Sequence, residues 1–123
     1  MVTLEERFEH LEKTIRGYNI SADLKLVEAA YSYAREHHGA QLRRDGTPYI
    51  THPIQVAQIV AEMRLDSESI LAALLHDCIE DTDSTYEDIA KRFGVTVADI
   101  VDGVTKLTRV KYSTMEEEQM ENL

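Results

Sequence analysis

Apolar residues recur every three or four positions along most of this chain, the spacing that places them on one face of an α-helix. Four long segments show this pattern, at 4–15, 24–34, 54–63 and 67–80. No alternation of apolar and polar residues lasts long enough to predict a strand, and no internal repeat is visible. The sequence therefore predicts an all-α fold, an irregular bundle of helices that forms a single domain over residues 1–123.

Residues at the ends of these segments indicate where the long helices begin and end. Gly39 is expected to stop the second helix, while Thr51 and Asp66 are expected to cap the third and the fourth. Pro53 suits the first turn of the third helix. His52 is therefore predicted to lie at a helix entry.

Shorter helices are expected wherever a hydroxyl residue precedes an acidic residue by three positions, the arrangement called a capping box. Three such pairs occur, at Ser84 with Glu87, Thr96 with Asp99, and Ser113 with Glu116. Gly94 fits a stop between the first two of these helices. The third has no visible stop, so we expect the chain to be the N-terminal portion of a longer domain.

The composition excludes several classes of protein. The formal net charge of −10 disfavours binding to nucleic acid or to an anionic membrane. The N-terminus, MVTLEERFEH, is acidic and amphipathic, unlike a secretory signal, so we expect a cytoplasmic protein. A lone cysteine, Cys78, excludes an internal disulfide and a zinc site built from cysteine pairs, so any metal must use His, Asp or Glu.

The segment LLHDCIEDT, residues 74–82, combines an apolar helix face with four polar groups on the opposite side: His76, Asp77, Glu80 and Asp81. Carboxylates are rarely buried without a partner, so a divalent cation would explain their presence in the most apolar helix. Imidazole with carboxylate suits manganese, iron or zinc, and His52 is a candidate second histidine. A solvated helix end with an ordinary core histidine is the alternative, and short motifs often have that explanation.

A basic cluster, AREHHGAQLRRDG at 34–46, interrupts the otherwise acidic chain. Gly and Pro residues indicate that its second half is an ordered loop. By themselves these residues are best explained as a solvated helix end.

Three blocks together resemble the HD phosphohydrolases, and most closely those of the RelA/SpoT type, which hydrolyse the alarmone (p)ppGpp. The blocks are TPYITHP at 47–53, LLHDCIEDT at 74–82 and DIVDGVTKLTRV at 99–110. The resemblance runs from about residue 20 to the end of the chain. It implies an α-helical HD-type fold with a bound manganese ion, Mn²⁺.

The resemblance also implies a role for individual residues. His52, His76 and Asp77 match metal ligands, and Glu80 with Asp81 match the catalytic acidic pair. In the loop, Arg43 matches the family residue that packs on the guanine base, and its neighbours Arg44 and Asp45 match further substrate-binding positions.

The chain departs from the pattern of this family in two respects. The family has a fourth metal ligand, an aspartate in a later helix, and no Asp follows Asp102 here. Asp45 replaces a small hydroxyl residue and brings a negative charge near the expected nucleotide. We therefore expect an incomplete hydrolase domain that is poorly active alone.

The resulting hypothesis is metal-dependent removal of pyrophosphate from the ribose 3′ position of (p)ppGpp, which yields GDP or GTP. Two alternatives stay open, namely an HD phosphohydrolase for another nucleotide and a non-catalytic regulatory fragment. The substrate partner is thus a guanine nucleotide, and the full-length protein is expected to carry synthetase and regulatory domains.

Overall fold

A computed structural model of the protein describes residues 2–107, and these residues form an α-helical bundle. The named helices are α1 (Leu4–Tyr18), α2 (Leu24–His38), α3 (Thr51–Glu62), α4 (Ser67–Leu75), α5 (Cys78–Asp81) and α6 (Tyr86–Phe93). Residues 95–107 are helical as well. In this range the only β-type pairing is an isolated bridge between Leu42 and Pro48, so the predicted all-α fold is confirmed.

Helix α4 lies at the centre of the bundle. It packs against both α3 and α2, while α1 covers the other side of α3. Every residue of α4 from Ile70 to Leu75 is buried, as its nearly continuous apolar sequence predicts. The C-terminal end of α4, where the HD pair lies, is therefore held in place from two sides.

Two of the predicted helix ends are confirmed, at Gly39 and Asp66. Gly39 ends α2 with a positive φ of 55°, a conformation that suits glycine. Asp66 caps α4 by accepting a hydrogen bond from the amide of Ser69.

The predicted caps of α3 and α6 are wrong. Thr51 is the first residue of α3 and Ile50 takes the cap position, with no side-chain hydrogen bond. Thr85, instead of Ser84, caps α6, because the buried hydroxyl of Ser84 bonds the hydroxyl of Tyr33. Gly94 ends α6 as expected, with a φ of 101°.

The other two predicted short helices have different outcomes. Residues 95–107 are helical from the position directly after Gly94, so Thr96 lies inside a helix and does not cap one. The helix predicted from Ser113 and Glu116 lies outside the described residues.

The helix predicted from Ser67 to Glu80 is in fact two helices with a break at His76 and Asp77. The ring Nδ1 of His76 donates a hydrogen bond of 2.6 Å to the carbonyl of Ala73. In a continuous helix that carbonyl would accept from the amide of Asp77. The break therefore coincides with a side chain that bonds a backbone acceptor of the preceding turn.

Within residues 2–107 no helix combines the length and the apolar character that crossing a bilayer requires.

Candidate metal centre

Three side chains from two helix ends meet at one point. His52 is the second residue of α3, His76 follows the last residue of α4, and Asp77 lies in the turn before α5. Because α3 packs along α4, the start of one helix faces the end of the other. The two histidines, 24 positions apart in sequence, have ring centroids only 5.2 Å apart.

The distances in this cluster suit a shared cation. Asp77 Oδ2 lies 3.0 Å from His76 Nε2 and 3.6 Å from His52 Nε2. One ligand atom from each residue lies within 4.8 Å of the others. All three side chains are partly buried, so an ion here would be partly shielded from water.

The hydrogen bond between His76 and Ala73 determines which ring nitrogen is available. A carbonyl oxygen can only accept, so Nδ1 of His76 carries the hydrogen. In the neutral ring this leaves the lone pair on Nε2, the atom that faces Asp77. Backbone support of this kind orients metal-binding histidines in general.

The ionisation of the cluster follows from opposing effects. Burial alone would lower the pKa of His76, but hydrogen bonds to Asp77 and Ala73 and the nearby carboxylate charge raise it overall. Burial would raise the pKa of Asp77, but His76 and the Tyr49 hydroxyl lower it overall. Burial dominates at His52 and lowers its pKa. The ionised carboxylate of Asp77 thus lies beside two histidines. The surroundings of His76 favour its charged form, and those of His52 favour its neutral form.

Tyr49 is a member of the site that sequence reasoning did not assign. Its hydroxyl lies 2.9 Å from Asp77 Oδ2 and 3.1 Å from Asp81 Oδ2. Burial and these two carboxylates raise the pKa of Tyr49 well above its ordinary value, so it is a hydrogen-bond donor here. The sequence signal available for Tyr49 was its position three residues before His52. Its contact with Asp77 was not visible there, because the two residues are 28 positions apart.

The acidic pair is divided between two environments. Asp81 is joined to the cluster through Tyr49. Glu80 is exposed, and its side chain makes no hydrogen bond or ion pair within the part of the chain that the structure describes. Neither side chain is among the three metal-binding candidates.

The arginine loop, residues 41–49, lies next to the cluster. The amide of Arg43 bonds the carbonyl of Thr47, which closes the loop into a tight turn. A pocket of about 720 Å³ is lined by Leu42, Arg43, Arg44, Asp45 and Tyr49. Both arginines are exposed, and among residues 2–107 neither forms an ion pair. Tyr49 lines this pocket and also contacts the cluster through Asp77.

Asp45 has a local role that the sequence did not indicate. Its Oδ1 accepts hydrogen bonds from the amide and the hydroxyl of Thr47, at 3.0 and 2.6 Å. These bonds, with a smaller effect of the Arg43 charge, lower the pKa of Asp45. One carboxylate oxygen is therefore used within the turn that presents the arginines.

Two other histidines and the cysteine near the site have structural roles. His38 is buried and its Nδ1 lies 3.1 Å from the side-chain oxygen of Gln41. His37 pairs with Asp83 on the surface. Cys78 is fully buried, and burial raises its pKa to about 12, so it is a core residue.

Comparisons with known proteins identify relatives of this chain. A family model described as "HD domain" matches residues 30–123. A curated relative from Escherichia coli, named bifunctional (p)ppGpp synthase/hydrolase SpoT, is 49% identical over 115 residues, which is 94% of this chain and 16% of the relative. One from Aquifex aeolicus, named guanosine-3′,5′-bis(diphosphate) 3′-pyrophosphohydrolase, is 50% identical over 121 residues, or 98% of this chain and 16% of the relative.

A solved structure with 37% identity has a TM-score of 0.61 and covers 64% of this chain and 47% of that chain. It is described as a metazoan ortholog of SpoT that hydrolyses ppGpp and plays a role in starvation responses. The curated relatives are much longer proteins, since the chain spans only 16% of their length.

Proposed function

Because this chain belongs to the HD domain family, we propose that it carries the metal-binding part of a (p)ppGpp 3′-pyrophosphohydrolase. The reaction is hydrolysis of the 3′-pyrophosphate of guanosine tetra- or pentaphosphate to GDP or GTP and pyrophosphate. Relatives about half identical to this chain are named for that reaction.

The single observation that carries the proposal is the position of the metal cluster beside the arginine loop. Ligand atoms of His52, His76 and Asp77 lie within 4.8 Å of one another. The pocket lined by Arg43 and Arg44 meets this cluster at Tyr49. A nucleotide phosphate held by the arginines would therefore lie next to the ion.

The donor set supports a divalent ion, and we propose Mn²⁺. Two imidazoles and a carboxylate suit manganese, iron or zinc better than calcium, and Nε2 of His76 has its lone pair free in the neutral ring. When bound, such an ion activates water and offsets the charge of the phosphates.

The remaining residues handle protons and binding. In the hydrolysis a water must lose a proton and the leaving oxygen must gain one, which carboxyl groups can manage. We assign this to Asp81, which the Tyr49 hydroxyl orients, and to Glu80, which is exposed and free to reach substrate. Arg43 has a planar guanidinium that can stack on the guanine base while its charge attracts phosphate. Arg44 and Asp45 complete the substrate loop.

The test measures hydrolysis of ppGpp, GTP and deoxynucleoside triphosphates, with and without Mn²⁺, by a longer form of the protein, because this chain alone is expected to be poorly active. We expect ppGpp to be hydrolysed preferentially, and His76→Ala to abolish the activity. His10→Ala is the matched control, because His10 is exposed on α1. Preferential hydrolysis of another nucleotide would overturn the substrate assignment, and binding of ppGpp and Mn²⁺ without turnover would favour the non-catalytic alternative.

We extend the proposal to the whole protein. The curated relatives exceed this chain several-fold in length, which supports further synthetase and regulatory domains in the full-length protein. The net charge of −10 supports a small anionic nucleotide at the local arginine pair over a nucleic acid or a membrane.

A further inference from the structure

The hydroxyl of Tyr49 lies between two carboxylates that belong to different parts of the proposed site. It is 2.9 Å from Oδ2 of Asp77 and 3.1 Å from Oδ2 of Asp81. The Asp77 oxygen is the same atom that lies 3.0 Å from His76 Nε2. Tyr49 therefore contacts the proposed ligand oxygen itself and, from the same atom, the proposed proton-handling group.

A phenol carries one hydrogen, so the two carboxylates share it. Without that hydrogen, two carboxylate oxygens near a single point would repel each other and rotate apart. A shared hydroxyl offsets this repulsion and holds both groups in one orientation. Since the Asp77 side chain is only 19% exposed, water would replace the hydroxyl poorly there.

Tyr49 is itself held firmly by the loop and by its ring contacts. Its amide bonds the carbonyl of Gln41, and its ring lies 4.7 Å from that of the buried His38. The Gln41 side chain in turn donates to the backbone carbonyl of Asp81 at 2.9 Å. The arginine loop is thus attached to α5 at two points, and Tyr49 is the one that touches the carboxylates.

We propose that Tyr49 is a positioning residue that orients Asp77 for metal binding and Asp81 for proton handling, and so couples the arginine loop to the metal centre. The inference rests on the proposed function, because it assumes that the cluster binds a divalent ion. It assigns to Tyr49 no direct contact with the ion.

The decisive variant is Tyr49→Phe, which keeps the ring and its packing and removes only the hydroxyl. Loss of a residue that supports a metal ligand typically reduces metal affinity about 10- to 100-fold, and we expect a loss of roughly 10-fold here. Tyr86→Phe is the matched control, since the Tyr86 hydroxyl also bonds a carboxylate, Asp99, at 2.6 Å, and Asp99 is not one of the three metal-binding candidates. That variant should keep the Mn²⁺ affinity of the unsubstituted chain.

Affinity is measured by titrating the chain with Mn²⁺ and following the electron paramagnetic resonance signal of the free ion. Thermal unfolding of each variant in the presence of a chelator reports stability without the metal. The expected result is weaker Mn²⁺ binding by Tyr49→Phe alone, with unfolding midpoints similar for both variants.

The outcomes separate the inference from the proposed function. Unchanged Mn²⁺ affinity in Tyr49→Phe would overturn the inference and leave the metal centre intact. A lower affinity accompanied by a lower unfolding midpoint in chelator, absent from Tyr86→Phe, would show a merely structural role and would also overturn it. No Mn²⁺ binding by the unsubstituted chain would overturn the metal centre, and the inference with it.

Discussion

Replacing Asp77 by Asn tests whether this residue is a metal ligand. The substitution preserves the shape of the side chain and removes its negative charge. Asp77 Oδ2 lies within 3.6 Å of both histidine Nε2 atoms and within hydrogen-bond distance of the Tyr49 hydroxyl. A neutral amide is a much weaker ligand for a divalent ion than a carboxylate, so we expect Mn²⁺ affinity to fall steeply.

The size of the loss distinguishes a ligand from a residue that only supports one. Removal of a supporting partner typically costs about 10- to 100-fold in metal affinity. Asp77→Asn removes one of three ligand atoms that lie within 4.8 Å of one another. The loss should therefore exceed about 100-fold, above the range of supporting residues.

The fold should tolerate this change. The Tyr49 hydroxyl and Nε2 of His76 both contact Oδ2 of Asp77, so Asn can keep one of the two contacts: its oxygen there accepts from Tyr49, or its NH₂ group there donates to Nε2 of neutral His76. Circular dichroism and the thermal unfolding midpoint of the metal-free variant should stay close to those of the unsubstituted chain.

The chain contains a matched control for this experiment. Asp83 Oδ1 lies 3.0 Å from His37 Nδ1, the same separation as in the pair of Asp77 and His76, but the Asp83 side chain is 91% exposed. Asp83→Asn changes the net charge equally and should leave Mn²⁺ affinity within about 2-fold, because exposed ion pairs contribute little. Calorimetric titration at constant pH measures both variants. Equal affinities for Asp77→Asn and Asp83→Asn would refute the ligand assignment.

Four further predictions concern substrate binding, proton transfer, the pH dependence of metal binding and the stability of the fold. Arg43→Ala in an active, longer form of the protein should mainly raise KM for ppGpp, and steady-state kinetics showing an effect confined to kcat would contradict its role in binding. Glu80→Gln and Asp81→Asn should each lower kcat by roughly 10²- to 10⁴-fold while Mn²⁺ affinity is kept; parallel loss of metal affinity would make them ligands. The pKa of His76 lies above its ordinary value, and the protonated ring cannot bind metal. Mn²⁺ affinity should therefore fall as the pH falls from about 8 to about 6. A pH-independent affinity would count against His76 as a ligand. Leu74→Ala, at a fully buried position of α4, should lower the free energy of unfolding by about 3–5 kcal/mol in urea titrations, and a loss below about 1 kcal/mol would contradict its central position.

The long helices could be predicted from the sequence because their signals are local. The apolar spacing, the stop at Gly39 and the cap at Asp66 act within a few residues, and each fits the structure. The apolar run from Ile70 to Leu75 predicted the central position of α4 for the same reason, since a helix that is apolar all round must be buried.

The wrong predictions involve side chains with competing partners. Ser84 has the sequence of a cap, but Tyr33, 51 positions earlier in the chain, takes its hydroxyl. The helix through His76 was predicted as continuous because the helical wheel contains no information on a ring that bonds the backbone. Such choices depend on which acceptor is nearest in three dimensions.

The sequence by itself determined the helical class, the buried central helix and the residue types available for a metal site, because periodicity and composition are properties of the chain. Tertiary structure alone decided that His52 meets His76 and Asp77, that Tyr49 joins Asp77 to Asp81, and that Glu80 stays outside this network. These contacts join residues up to 32 positions apart, so they exist only after α3 has packed on α4 and the loop has closed over α5. Close packing of the folded chain sets those distances, and the spacing of residues along a sequence cannot.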